Sequence, residues 1–184
     1  MATVVPFKQW PWHHWAQLYP NETAIISGVS PITWQQLSCH INQLANNFAK
    51  QGVDTQSTVL LRGKNHINLV FALLAVFQCG AKVLPLNPQL PKSLLDELLP
   101  HLGIDFYADL SEISLDLNAT LLDLSGIELD NMSRQYKTQT VNDVLWEPSR
   151  MATLILTSGS SGLPKAAVHT FDAHLCSAMG VLSL

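Results

Sequence analysis

Hydrophobic and polar positions along the chain follow two periodicities that alternate with each other. Between residues 34 and 48 the apolar residues recur at helical spacing, after Thr33, a good N-cap, and before Gly52, a typical C′ residue. Short apolar runs typical of buried strands lie at residues 59–61, 83–84, 106–107, 120–122 and 153–156. Further helices are expected at residues 65–79, through 94–99 and from about 170 onward. Strands that alternate with helices predict an α/β fold whose mostly parallel sheet is flanked by helices.

Two segments are more apolar or aromatic than a solvent-facing helix allows. Residues 10–15, Trp-Pro-Trp-His-His-Trp, open a short helix that ends before Pro20, and we expect the tryptophans to pack in the core or at an interface rather than stack on bases. A strand at residues 24–27 and a turn from Gly28 to Pro31 follow. The helix at 65–79 is apolar nearly all round, which predicts packing on more than one side.

Charge is scarce and unevenly distributed in this chain of 184 residues. Charged side chains make up 13%, about half the usual share, while 47% of residues are hydrophobic, which excludes intrinsic disorder. The net charge of −4 and the pI of about 5.9 argue against a nucleic-acid partner. Residues 96–147 hold eleven acids and two bases, so any anion-binding site is expected outside that stretch. So little charge also predicts exposed apolar surface and self-association through it.

The cysteines indicate a reducing compartment, and the apolar runs predict no membrane span. Cys39, Cys79 and Cys176 are odd in number, far apart and in apolar contexts, so we expect structural thiols and a cytoplasmic protein. The first fifteen residues lack the pattern of a signal peptide, and the longest apolar run, residues 69–77, is too short to span a bilayer.

A phosphate-binding loop is the clearest chemical signal in the sequence. A buried strand at residues 153–156 leads into Thr157–Leu163, where six of seven residues are Thr, Ser or Gly, and then into Pro164-Lys165 and a second strand at 166–168. Glycines let backbone N–H groups approach an anion, hydroxyls add donors, and the lysine supplies a cation. A plain Ser/Gly linker would explain neither the buried strand nor the Pro-Lys pair.

The loop is neither of the two commonest phosphate loops. A P-loop is excluded because Gly159 and Gly162 are too close together, Pro164 precedes the lysine, and Ala166 stands where Ser or Thr would hold magnesium. The dinucleotide pattern G-x-G-x-x-G is absent as well.

Three ordered motifs resemble those of the adenylate-forming enzymes, which include acyl-CoA synthetases, peptide-synthetase adenylation domains and luciferases. Leu156–Lys165 resembles the family's T-S-G-[ST]-T-G-x-P-K signature and departs from it at Ser161, which keeps the hydroxyl. Upstream, Ile32–Leu37 resembles L-T-Y-x-E-L, and Cys79–Pro88 resembles G-A-x-x-x-P-L-N-P. The resemblance covers nearly the whole chain and is weakest over residues 105–147.

The resemblance implies an enzyme that activates a carboxylate with Mg-ATP and then transfers the acyl group to coenzyme A. It implies that the ATP phosphates are bound by Thr157, Ser158, Gly159, Ser160, Ser161, Gly162 and Lys165. His169, just beyond the second strand, is expected to border the acyl-adenylate pocket. No zinc site is expected, because His174 shares no helix face with His169 and the pair His13-His14 lacks further ligands.

Family members are more than twice as long as this chain, and their other nucleotide-binding motifs and catalytic lysine follow the phosphate loop. Residues 1–184 are therefore expected to be the N-terminal portion of an AMP-binding domain, truncated shortly after the loop, with no catalytic residue and no ligase activity alone. Two alternatives stay open. One is an acyl- or aryl-CoA synthetase for another acid, and the other is a non-catalytic nucleotide-binding or interaction module.

Overall fold

The computed structural model describes residues 7–28, 30–111, 117–127, 144–157 and 165–182. Within these ranges the helices are α1 Pro11–Leu18, α2 Trp34–Lys50, α3 Ile67–Gln78, α4 Lys92–Leu98 and α5 Phe171–Leu182, with a 3-10 turn at Leu99–His101. The strands are β1 Thr23–Ser27, β2 Ser30–Thr33, β3 Thr58–Arg62, β4 Lys82–Leu86, β5 Phe106–Asp109, β6 Thr120–Leu121, β7 Met151–Thr157 and β8 Lys165–Thr170.

Six of the strands form one sheet in the order β6-β5-β3-β4-β7-β8. Every neighbouring pair in it is parallel except β7 and β8, which confirms the predicted α/β fold with a mostly parallel sheet. All five residues of the central strand β3 are buried. Because β3, β4, β5 and β7 run in the same direction, their carboxyl ends meet at one edge of the sheet.

Strands β1 and β2 form a separate antiparallel hairpin, and here the predicted turn is too long. The residue Pro31 lies in β2 and pairs with Ile26, so only the region around Gly28, with φ of 64°, makes the turn. A proline fits this strand because a two-stranded ribbon has edges at which its missing N–H costs no ladder bond. The short turn brings the chain to Thr33, at which α2 begins.

Helix α2 begins and ends where the sequence predicts. The hydroxyl of Thr33 accepts a hydrogen bond from the Gln36 backbone N–H at 3.2 Å, and the Gln36 side-chain oxygen accepts one from the Thr33 N–H at 2.9 Å. This reciprocal capping box satisfies two N–H groups that the helix itself leaves without partners. At the other end the φ of Gly52 is 100°, the left-handed conformation that a C′ glycine supplies.

The main core lies on the face of the sheet that α2 and α3 cover. Helix α3 packs against α2, β3 and β4, so the prediction of packing on more than one side is confirmed. After α3 the chain turns at Gly80, with φ of 74°, where a Cβ would lie 2.8 Å from side-chain atoms of Thr55, Val144 and Arg150. Glycine is therefore required by both conformation and space, and the turn holds α3 tightly against β4.

Trp10 and Trp12, at the start of the first helix, are part of the core as predicted, while Trp15 is only half-buried. Trp10 and Trp12 are buried and stacked with ring centroids 5.1 Å apart. The Trp12 indole N–H donates to the Gln78 side-chain oxygen at 2.8 Å, and the Trp10 indole N–H donates to the backbone oxygen of Val144 at 3.0 Å. Both polar ends are thus satisfied inside the protein, which is what a buried indole needs.

The three cysteines are free, and they differ in exposure. Cys79 is buried and donates weakly to the Ala45 backbone oxygen at 3.4 Å, whereas Cys39 is half-buried and burial raises the pKa of its thiol. Cys176 is exposed on α5, so the expectation of a structural thiol is wrong there, since few elements cover this helix. In the described part of the chain, no helix is both long enough and apolar enough to cross a membrane.

Candidate functional site

The predicted phosphate loop connects β7 to β8 of an antiparallel hairpin at the edge of the sheet. Strand β7 continues the parallel sheet beside β4, and β8 returns along it from Lys165 opposite Thr157 to Thr170 opposite Met151. The strand and the return strand of the sequence prediction are therefore found in that order, although in β7 only Ala152 and Thr153 are buried and the strand is half-buried from residue 154 to 156. The loop end of β7 lies at the carboxyl edge of the sheet, where α/β proteins bind their ligands.

The two residues that flank the loop face each other across the hairpin. The Thr157 hydroxyl donates a hydrogen bond to the Lys165 backbone oxygen at 3.1 Å, and both residues are exposed. This hydrogen bond joins the two strands at the loop end of the hairpin. The Lys165 side chain stays exposed, so its ammonium can bind an anion from solvent. The predicted site residues Ser158, Gly159, Ser160, Ser161 and Gly162 lie outside the described residues.

The position of His169 differs from the prediction. The sequence places His169 just beyond a strand of residues 166–168, but β8 extends from Lys165 to Thr170 and His169 lies inside it, paired with Thr153. The strand is longer because β7 offers it a partner at every position to its end. On the hairpin, cross-strand partners share a face, so His169 lies on the same face as Thr153.

The same hairpin brings together two histidines that the sequence keeps apart. The rings of His169 and His174 lie 5.7 Å apart, centroid to centroid. Helical spacing does not apply to this pair, because His169 is in β8 and the chain enters α5 only after Thr170. Burial, followed by the charge of the neighbouring His169, lowers the pKa of His174. Across the described ranges no three His, Cys, Asp or Glu side chains are grouped as metal ligands would be.

A buried ion pair, which the sequence analysis missed, lies at the same carboxyl edge. Arg62 at the end of β3 bonds Asp109 at the end of β5 at 3.2 Å, with their side chains only 4% and 9% exposed. The other terminal nitrogen of Arg62 donates to the Pro88 backbone oxygen at 3.0 Å, and Asp109 accepts from the Ser111 N–H at 2.9 Å. The pair ties β3 to β5 and to the chain that follows β4. The sequence signal that could have revealed this pair is Arg62 itself, a charged residue at the end of an otherwise uncharged apolar strand.

A cavity lies elsewhere along the sheet from the described ends of the predicted loop. It has a volume of about 720 Å³ and lies along α4, where Arg62 contributes charge and Leu95 and Leu99 contribute apolar surface. Of the predicted phosphate-binding residues that the structure describes, neither Thr157 nor Lys165 lines it. The hairpin and this cavity are therefore separate features of the same sheet.

A parallel sheet with a hairpin added at its edge defines an α/β protein of the class that binds ligands at carboxyl strand ends. The chain belongs to the AMP-binding enzyme family, whose model matches residues 12–183. It is 42% identical over 178 residues to the 2-succinylbenzoate–CoA ligase of Escherichia coli K12, a match that covers 97% of this chain and 37% of that protein. The chain thus spans little more than a third of the length of this relative.

Solved structures of related enzymes have the same fold. The E. coli MenE structure with a bound m-phenylether-linked analogue of OSB-AMS matches with a TM-score of 0.82 and 42% identity, over 97% of this chain and 37% of that one. The o-succinylbenzoate CoA synthetase of Bacillus subtilis, in complex with the acyl-adenylate intermediate OSB-AMP, matches with a TM-score of 0.79 and 25% identity. That match covers 94% of this chain and 45% of the other.

Proposed function

We propose that residues 1–184 are the N-terminal portion of the AMP-binding domain of an ATP-dependent acid–thiol ligase of menaquinone biosynthesis. The enzyme adenylates the carboxylate of o-succinylbenzoate with release of pyrophosphate, and then transfers the acyl group to coenzyme A. The observation that carries the proposal is the 42% identity to the E. coli 2-succinylbenzoate–CoA ligase over 97% of this chain.

Local sequence supports the choice of this acid over other acyl- or aryl-CoA synthetases. The stretches that resemble o-succinylbenzoate–CoA ligases in particular are residues 10–15, 83–91, 163–170 and 180–184. The first of these forms the buried start of α1, and the second contains most of β4 and the chain that leads into α4. Their spread over the chain supports a relationship to the whole ligase rather than to a shared loop.

In this proposal the hairpin stabilises the negative charge that develops on pyrophosphate as it leaves. The glycines Gly159 and Gly162 give the phosphates access to backbone N–H groups. Hydroxyls donate from Ser158, Ser160 and Ser161, Thr157 joins them by exchanging its bond to the Lys165 backbone oxygen for one to phosphate, and Lys165 supplies the positive charge. Donors fixed where charge develops act at the transition state more than on the bound substrate, and so raise the rate of adenylation.

Magnesium enters as the partner of ATP, as the family resemblance implies. His169 would border the acyl-adenylate pocket from its place in β8. The remaining groups that a ligase needs are assigned to sequence outside this chain, so the chain alone is expected to be inactive. The three free cysteines support a reducing compartment, and we place the protein in the cytoplasm.

Pyrophosphate exchange with the full-length protein tests the function. With o-succinylbenzoate present, ³²P from labelled pyrophosphate should enter ATP, and coenzyme A should give the thioester. A panel of benzoate, succinate and medium-chain fatty acids is the control. Exchange with one of these acids but not with o-succinylbenzoate would assign a different synthetase, and ATP binding without exchange with any acid would indicate a non-catalytic module.

Exposed apolar side chains near the hairpin support self-association of the isolated chain. Val181 on α5 is 69% exposed, Val168 on the edge strand β8 is 50% exposed, and Leu145 is 80% exposed. We expect sedimentation velocity to show dimers or larger species that dissociate on dilution, because burying such surface is favourable. Val168→Lys should shift the equilibrium toward monomer, whereas Gln35→Lys on exposed α2 surface should not. A monomer at every concentration would contradict the proposal.

A further inference from the structure

Among the described residues, two side-chain hydrogen bonds join the base of the β7–β8 hairpin to α5: the Ala173 N–H donates to the Thr170 hydroxyl at 3.2 Å, and the second lies between Thr153 and His174. The Thr153 hydroxyl and the His174 ring nitrogen Nε2 lie 2.9 Å apart. Thr153 is 4% exposed and pairs with Val83 of β4 on one side and with His169 of β8 on the other. The threonine is thus a buried residue of the sheet, and α5 reaches it through a single histidine.

The first turn of α5 is attached independently to the chain that precedes β7. The Phe171 N–H donates to the Arg150 backbone oxygen at 3.2 Å, and the Asp172 N–H donates to the Pro148 backbone oxygen at 2.9 Å. The Phe171 ring lies against Phe77 of α3 with centroids 4.9 Å apart. Helix α5 therefore has a fixed starting point, and the His174 contact sets how the helix lies against the hairpin itself.

The His174 contact is on the hairpin face that carries the predicted phosphate contacts. Alternate residues of a strand share a face, so Thr157 lies on the same face of β7 as Thr153. Cross-strand partners share it too, and Thr157 pairs with Lys165 while Thr153 pairs with His169. Four residues along a strand span about 13 Å, which places His174 at the base of this face and Thr157 and Lys165 at its far end.

We propose that His174 is a positioning residue for ATP binding. Through the Thr153 hydroxyl it fixes the orientation of the hairpin on α5, so that Thr157 and Lys165, the residues on either side of the loop, meet the phosphates from a fixed position. The inference rests on the proposed function, since it assigns the loop to ATP. Ordering a binding element before the ligand arrives lowers the entropic cost of binding, so the effect should fall on ATP affinity.

Four variants of the full-length protein separate the hydrogen bond from the packing. Thr153→Val removes the hydroxyl at similar volume and Thr153→Ser keeps it, while His174→Leu removes the ring nitrogen and His174→Gln restores a polar group near its place. We expect Thr153→Val and His174→Leu each to raise the Kd and KM for ATP about tenfold, the effect of one net hydrogen bond. The kcat of exchange should change much less, and Thr153→Ser and His174→Gln should stay within about twofold of wild type.

Coupling between the two residues is the readout that a merely structural role would not give. The double variant Thr153→Val/His174→Leu should bind ATP no more weakly than either single variant, because both remove the same contact. His101→Leu, at an exposed histidine far along the chain, is the control. Calorimetry with Mg-ATP and thermal melting are measured on every variant.

Two results overturn the inference in distinguishable ways. If the wild-type protein binds no ATP, the proposed function fails and the inference fails with it. If the wild type binds ATP and Thr153→Val and His174→Leu lower only the melting temperature, the inference alone fails. If Thr153→Val does not fold, the comparison of His174→Leu with His174→Gln tests the same hydrogen bond through its partner on α5.

Discussion

Replacing Lys165 by alanine in the full-length protein is expected to lower the rate of ATP–pyrophosphate exchange by roughly 10²- to 10³-fold, the usual loss when a donor to developing charge is removed. Lys165 is the first residue of β8 and is held opposite Thr157, so its side chain starts from a fixed strand end beside the loop. The loss should appear in kcat as well as in kcat/KM, because the charge on pyrophosphate grows as the bond to the α-phosphate breaks.

Lys92→Ala is the matched control for the loss of a lysine. Lys92 is exposed on α4, where it bonds Asp96 at 2.7 Å, and it is not among the predicted site residues. Its removal should leave exchange unchanged, since an exposed pair of this kind contributes little. Lys165→Arg should retain part of the activity because it keeps the charge but changes its geometry. Equal exchange rates for Lys165→Ala and wild type would refute the assigned role.

Replacing Asp109 by leucine is expected to lower the free energy of unfolding by about 3–5 kcal/mol, the cost of leaving one partner of a buried ion pair uncompensated. The guanidinium of Arg62 is 4% exposed, so water cannot replace the lost carboxylate without opening the sheet edge. Urea unfolding of the 184-residue chain, followed by the fluorescence of its five tryptophans, measures the change.

The exposed ion pair on α4 provides the comparison. Lys92 and Asp96 have side chains that are 76% and 57% exposed, and Asp96→Leu should cost no more than about 1 kcal/mol. The double variant Arg62→Met/Asp109→Leu should recover much of the loss, because it leaves no buried charge behind. Similar losses for Asp109→Leu and Asp96→Leu would show that burial of the Arg62–Asp109 pair does not govern its contribution.

Features that depend on neighbouring residues could be predicted from the sequence. The start of α2 at Thr33 depends on a side chain that bonds the backbone three residues on, and its end depends on the conformation of Gly52. The strand, loop and return strand around Thr157 and Lys165 follow for the same reason, because apolar runs and loop residues are local signals. The roles of the loop residues in ATP binding stay predictions.

Features that depend on tertiary pairing could not be predicted in this way. Arg62 and Asp109 are 47 residues apart and meet only because β3 and β5 are parallel neighbours. Helical spacing places His169 and His174 on different faces, whereas in the structure a strand and a helix bring them together. The sequence predicts a turn that includes Pro31, because the pairing of Pro31 with Ile26 depends on the two-stranded ribbon and not on neighbouring residues.

A small rotation at the base of the hairpin produces a larger displacement at its loop end. Every other pair of neighbouring strands in the sheet is parallel and needs a crossover connection. Strand β8 instead follows β7 directly in an antiparallel hairpin and pairs with β7 on one side. Strand β7 has seven residues and is about 20 Å long, so a tilt of about 10° at its base would carry the loop through about 3.5 Å. That distance exceeds the length of a hydrogen bond. Under the proposed function, such a tilt is enough to make or break a contact between Lys165 and a phosphate group.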